Sequence, residues 1–255
     1  MVITYPDGEE VDLLFDRRLH SYKVGDEIVP SATKVLGVIS KPALVPWALK
    51  VGVEWLEEKM FKDEESSSNG THVYKSPLSF ESIIKGIKSA HRQTSTSAIN
   101  IGIITHDWVE EAINFHMKGG VIPKLPTQEE ALNSIDAFQS WVQENEIEWL
   151  SSEEKLYHRK HKYAGTLDAR AYINGEYCVI DWKTSKAVYP EYHLQVAAYA
   201  KAVEDMYDKK VDATYILRCD KVTGRFESVK SKSVAKNFKA FLAALTLYKR
   251  LKEIR

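Results

Sequence analysis

Asp168, Asp181 and Lys183 are the residues whose types and spacing point to chemistry. They sit on two runs of strand-forming residues, 164–173 and 176–183, separated by Asn174-Gly175, a dipeptide that suits a two-residue type I′ hairpin turn. With that turn as the loop, Ile173 pairs with Glu176, and the register carried along the strands sets Asp168 opposite Asp181. Carboxylates facing one another across a ladder have Cβ atoms about 4.5–5.5 Å apart and repel. Alternation also puts Lys183 on the face of Asp181. Two acidic side chains that close, with an ammonium beside them, match the needs of a hard divalent cation and a phosphate. An Asp-x-Lys triplet alone arises by chance, and the plain alternative is a pair of aspartates on the wet face of a hairpin. The register and the surrounding elements favour the metal site.

Those elements read as follows. Residues 2–29 are short strands and turns, broken at Pro6-Asp7-Gly8 and Gly25-Asp26. Ser31 caps a short helix through Leu36. Residues 43–61 predict an amphipathic helix with Leu44, Trp47, Val51, Trp55 and Met60 along one stripe, and the polar residues 62–76 predict a surface loop. A helical pattern runs from Ser79 to about Met117, broken near residues 93–97, and sets His106 and Glu110 one turn apart on one face. Gly119-Gly120 ends it, and residues 128–145 form another helix. Residues 147–158 are a strand containing Glu153 and Glu154, and Arg159-Lys160-His161-Lys162 is a basic loop before the hairpin. Pro190 opens a helix to about Tyr207 with Gln195 and Tyr199 at i, i+4. Strands at 211–219 and 225–230 and a helix at 233–254 complete the chain. The expected fold is mixed α/β (α+β), a central mixed sheet flanked by helices. It is expected as a single domain, 1–255. Within it a mostly helical region, residues 1–146, carries His106, and a sheet core, residues 147–255, carries Asp168, Asp181 and Lys183.

Composition narrows the function classes. No apolar run approaches the roughly 20 residues that span a bilayer, and the first residues lack the pattern of a signal peptide, so the expectation is a cytoplasmic protein, neither secreted nor membrane-bound. Two cysteines, Cys178 and Cys219, without a C-x-x-C pair read as buried free thiols and are too few for a four-cysteine iron–sulfur cluster. Net charge is −1, but it is unevenly spread: residues 155–255 hold 21 Lys+Arg against 11 Asp+Glu, and residues 1–154 hold 14 against 25. A basic C-terminal region is compatible with a polyanionic partner.

Gly102-x-x-x-His106 on a helix, Ala164-Gly165-Thr166-Leu167-Asp168, Ile180-Asp181-Trp182-Lys183-Thr184-Ser185 and Gln195-x-x-x-Tyr199 together resemble the PD-(D/E)XK nuclease superfamily, in its RecB-like exonuclease branch. Pro30-Ser31-Ala32-Thr33-Lys34-Val35-Leu36 is similar to the N-terminal stretch of phage and mitochondrial genome-maintenance exonucleases of that branch. The resemblance covers about residues 15–205, and its strength lies in four weak motifs in the right order. Leu167-Asp168 stands where the superfamily's nominal Pro-Asp would be.

The resemblance implies a restriction-endonuclease-like core in which Asp168, Asp181, His106 and the Trp182 carbonyl hold one or two Mg²⁺ or Mn²⁺ ions. It implies that Lys183 orients the attacking water or stabilises the transition state. Gln195 and Tyr199 would support the site or touch the nucleic-acid backbone, and Glu153 or Glu154 would match an acidic position of the preceding strand. Glu110 and Lys186 are further supporting candidates, and Arg159, Lys160 and Lys162 are candidates for phosphate contact. The implied activity is metal-dependent DNA exonuclease hydrolysis on single strands or ends, as in repair or recombination. The alternatives are a structure-selective or restriction-type endonuclease and a non-catalytic DNA-binding module.

Overall fold

A computed structural model of the chain describes residues 1–19, 21–68, 71–221 and 223–254, in two compact units: residues 1–39 with 101–255, and residues 40–100. The first unit begins with a four-stranded antiparallel meander, β1 (Val2–Thr4), β2 (Glu10–Asp16), β3 (Ser21–Val24) and β4 (Glu27–Val29). Alternation in β2 buries Val11 and Leu13. Ser31 then caps α1 (Ala32–Leu36), its Oγ accepting the Lys34 N–H at 3.1 Å.

Residues 40–100 hold α2 (Leu44–Glu58), the antiparallel pair β5 (Phe61–Ser68) and β6 (Thr71–Lys75), and the first half of the 39-residue α3 (Phe80–Lys118). Three expectations change here. Leu44 is exposed, whereas Trp47, Val51, Trp55 and Met60 are half-buried and the Trp55 ring lies against Gly86. Residues 62–76 pair as strands instead of forming a loop, because this ladder is made by backbone bonds that need no apolar side chains; residues 69 and 70 lie outside the described residues. The helix is not broken near residues 93–97. There Thr94 returns its hydroxyl to the Ala90 carbonyl at 3.1 Å, within the helix. Among the described residues of 1–146, six strands stand beside helices that hold the larger share.

The rest of the first unit is built on a five-stranded sheet in the order β11-β10-β9-β8-β7. After α4 (Glu129–Gln143) come β7 (Ile147–His158), β8 (Tyr163–Ile173) and β9 (Glu176–Lys183), then α5 (Pro190–Tyr207), β10 (Ala213–Cys219), β11 (Phe226–Ser231) and α6 (Val234–Glu253). β9 and β10 run parallel and the other pairs antiparallel, a mixed sheet. β10 is buried along its length, as a central strand covered on both faces must be. One apolar cluster joins β8 and β9 to α1, α5, α6 and the N-terminal meander; the other joins β8, β9 and β10 to α4 and the second half of α3. Cys178 and Cys219 are buried and unpaired in β9 and β10. Among the described residues, no helix is long and apolar enough to cross a membrane.

Candidate metal centre

The Asn174-Gly175 turn has φ of 50° and 81°, and Ile173 pairs with Glu176 in the register its sequence predicts. That ladder continues to Ala169–Ile180 and stops one step short of the two aspartates. Gly165 abuts Tyr199 and Leu167 packs in the α1/α5 cluster, whereas Ala169, Ala171 and Ile173 pack in the α3/α4 cluster. The alternation of β8 therefore changes at Asp168. Opposite it in β7, Glu153 adopts a left-handed backbone with φ of 49°, and neither residue appears among the β7–β8 pairs that flank them. Asp168 does not simply face Asp181 across a regular ladder. Its Oδ2 instead accepts the Trp182 N–H at 2.6 Å, a bond that would otherwise belong to the strands.

This irregularity gathers the site. Ligand atoms of His106, Glu153 and Asp168 lie within 4.8 Å of one another, with His106 Nδ1 at 3.6 Å from Asp168 Oδ1. Asp181, 1 % exposed, is ion-paired to Lys183, the neutralisation a buried carboxylate requires. The acidic residue of β7 that joins the cluster is Glu153; Glu154 instead meets Arg170 Nε at 3.0 Å and the Tyr207 hydroxyl. The left-handed backbone of Glu153, where the β7–β8 pairing lapses without a change of register, selects it over its neighbour.

Burial dominates the electrostatics. It pushes Asp168 and Asp181 each up to about 6, against the pull of Lys183. Burial, with Asp168 and Glu110 adding repulsion, raises Glu153 to about 7. The His106 imidazole is pushed down to about 4, first by burial and then by Lys183, although a hydrogen bond to the Trp182 backbone opposes the drop. Burial would also lower Lys183, but Asp181 and Asp168 outweigh it and hold the ammonium above its ordinary value. A neutral imidazole beside carboxylates short of counter-charge is a donor set suited to a divalent cation of Mg²⁺ or Mn²⁺ type. The residues present fit such an ion.

The supporting residues explain the spacing of the motifs. A Cβ on Gly102 would stand 3.2 Å from Thr184 Oγ1, so glycine there lets α3 approach the loop after Lys183, one turn before His106. A Cβ on Gly165 would lie 2.5 Å from Tyr199 Cε1. Tyr199 is buried, receives a bond from Gln195 Nε2 at 2.9 Å and hydrogen-bonds Thr33, which ties α1 to α5 beside the site. Gly165→Ala is therefore expected to cost about 2 kcal/mol through overpacking, read as a lowered urea midpoint at unchanged slope. An unchanged midpoint would show that Tyr199 yields freely.

Sequence reasoning missed Tyr192, whose ring centroid lies 5.1 Å from Lys183 Nζ. Its signal was the i, i+3, i+7 stripe with Gln195 and Tyr199. It also missed Arg218, buried in β10 beside Lys183 in the parallel register. Arg218 donates Nη1 to the Ser185 and Lys186 carbonyls, both at 3.2 Å, and Nε to Glu227 at 3.2 Å. Lys186 contributes its carbonyl to this brace, and its side chain is exposed. Arg218→Ala strands two loop carbonyls and is expected to cost about 3 kcal/mol in chemical denaturation; a loss under about 0.5 kcal/mol would make the brace incidental.

The basic loop does not present a free row of cations. Arg159 is held by Asp7 at 2.6 Å, Glu9 at 2.9 Å and Asp205 at 3.2 Å. Lys162 pairs with Glu27 at 3.2 Å, and Lys160 is exposed. Trp108 is buried against Phe138. A scan against protein-family models finds no match to the chain, and a search of curated proteins finds no relative.

Proposed function

We propose that this chain is a metal-dependent exodeoxyribonuclease with a PD-(D/E)XK core, hydrolysing phosphodiester bonds at ends or in single strands of DNA. The observation that carries the reading is the convergence of His106, Glu153 and Asp168 within 4.8 Å beside the buried Asp181–Lys183 pair. The mixed sheet with helices on both faces suits the core that the motifs resemble.

A bound Mg²⁺ or Mn²⁺ supplies a water that is nucleophilic near neutral pH and a positive charge for the non-bridging phosphate oxygens. His106, Glu153, Asp168 and Asp181 would hold it, with the Trp182 carbonyl a further candidate. Asp168 is oriented for this by the Trp182 N–H, and Lys183 is kept protonated by Asp181 and Asp168. An ammonium so placed orients a water and stabilises charge developing on phosphorus-bound oxygens. Tyr199 and Gln195 pack the helix against the strand that carries Asp168 and keep bulk water from that side.

Linear and circular single-stranded DNA of one sequence, incubated with the protein in Mg²⁺, test the reading. An exonuclease digests the linear form alone. Cutting of the circle assigns an endonuclease, and digestion of neither in Mg²⁺ or Mn²⁺ overturns the proposal.

A further inference from the structure

Most cations near the cluster already have partners. Lys183 is taken by Asp181, Arg170 by Glu154, Arg159 by three carboxylates and Arg218 by Glu227 and two carbonyls. Lys155 is different. It is half-buried in β7, two residues beyond Glu153, and makes no ion pair with a described residue. Its cross-strand partner is Thr166, two residues before Asp168, so it stands on the side of β8 away from Gly165 and Leu167.

The position of its ammonium is built by the N-terminal meander. Lys155 Nζ lies 5.7 Å from the Phe15 ring centroid, within the range of a cation–π contact. Phe15 packs on Tyr22 with ring centroids 4.7 Å apart, and the Tyr22 hydroxyl bonds Thr166 Oγ1 at 2.7 Å. The Phe15 ring, itself packed on a tyrosine that is bonded to Thr166, thus seats the lysine head. Lys155 acts electrostatically on Glu153 without touching it. Nearby, Asp107, Glu110 and Glu111 line a cavity of about 560 Å³ together with Arg17 and Lys118.

We infer that Lys155, seated on Phe15 and opposite Thr166, is a second phosphate-binding point that takes a phosphodiester of single-stranded DNA flanking the one at the metal cluster. The inference rests on the nuclease reading for its substrate class but not for its chemistry. A phosphate displaces no ion-pair partner of Lys155 among the described residues, and its binding releases counterions that bulk salt opposes.

The experiment uses the full chain, wild type and Lys155→Ala and Lys155→Arg, with a fluorescent 20-nucleotide oligothymidylate. Equilibrium binding is followed in Ca²⁺, and kcat and KM in Mg²⁺, across a salt series. For Lys155→Ala the inference expects about a tenfold rise in Kd and KM, kcat within about threefold, and a salt slope shallower by about 0.7, the value for one phosphate contact on a single strand. Lys155→Arg restores the slope. An unchanged slope and KM overturn the inference. So does a fall in kcat with a changed Mg²⁺ requirement at constant slope, because Lys155 would then only balance Glu153. If the wild type binds but never cleaves while the slope still falls in Lys155→Ala, the nuclease reading fails and the phosphate contact stands. If the wild type does not bind the oligonucleotide, both fall.

Discussion

Lys183→Ala and Asp181→Asn are each expected to reduce hydrolysis of single-stranded DNA about 10³-fold, because each removes a preorganised charge from the centre. Their effects on stability differ, which separates chemistry from folding. Lys183→Ala leaves the Asp181 carboxylate, 1 % exposed, without its ion partner, and stripping one member of a buried pair costs about 3–5 kcal/mol. The carboxylate answers by taking up a proton, moving further in the direction burial already pushes it. Asp181→Asn keeps a neutral isostere and leaves Lys183 with Asp168 as its remaining counter-charge, so its stability loss is smaller. Initial rates and melting temperatures measured together decide the matter. Near wild-type rates in both variants would remove these residues from the chemistry.

Divalent ions are expected to raise the melting temperature of the wild type, and more so at pH 8 than at pH 6. Glu153 at about 7 and Asp168 and Asp181 at about 6 all stand above the values of an unfolded chain, 4.5 and 3.8. Without metal their ionisation in the fold is disfavoured, so stability is gained as pH falls through 7 and 6 and is lost as pH rises. His106 at about 4 has the opposite sign: its contribution is lost as pH falls from 6.5 toward 4. An ion that binds only the deprotonated donors competes with these protons and therefore binds tighter at high pH. At 100-fold excess over Kd the linkage supplies about 2.7 kcal/mol, or roughly 5–10 °C for a chain of this size. Glu153→Gln and Asp168→Asn should each abolish most of that rise. A rise of equal size at both pH values, or in Asp168→Asn, would place the ion elsewhere.

Much of this architecture is legible in the sequence because it is local. Asn174-Gly175 fixes a hairpin register through backbone conformations that few residues adopt, and Pro190 marks the first turn of α5. The predicted strand 147–158 coincides with β7. What sequence could not give is long-range. Arg159 reads as a free cation until Asp7 and Glu9, some 150 residues away, close on it. The choice of Glu153 over Glu154 turns on one left-handed residue at a lapse in the strand pairing that no local signal marks. Residues 62–68 carry so little apolar content that their pairing could only be found in three dimensions. Arg218 looked like any strand residue until the parallel register set it next to Lys183.

If His106, Glu153, Asp168, Asp181 and Lys183 form a hydrolytic metal centre, cleavage must depend on a divalent ion. The most direct test incubates the wild type with end-labelled linear single-stranded DNA in Mg²⁺, in Mn²⁺ and in EDTA. Mononucleotides or short oligonucleotides should be released with either ion and none with EDTA. Intact DNA under all three conditions, or equal degradation in EDTA, would contradict a metal centre of this kind.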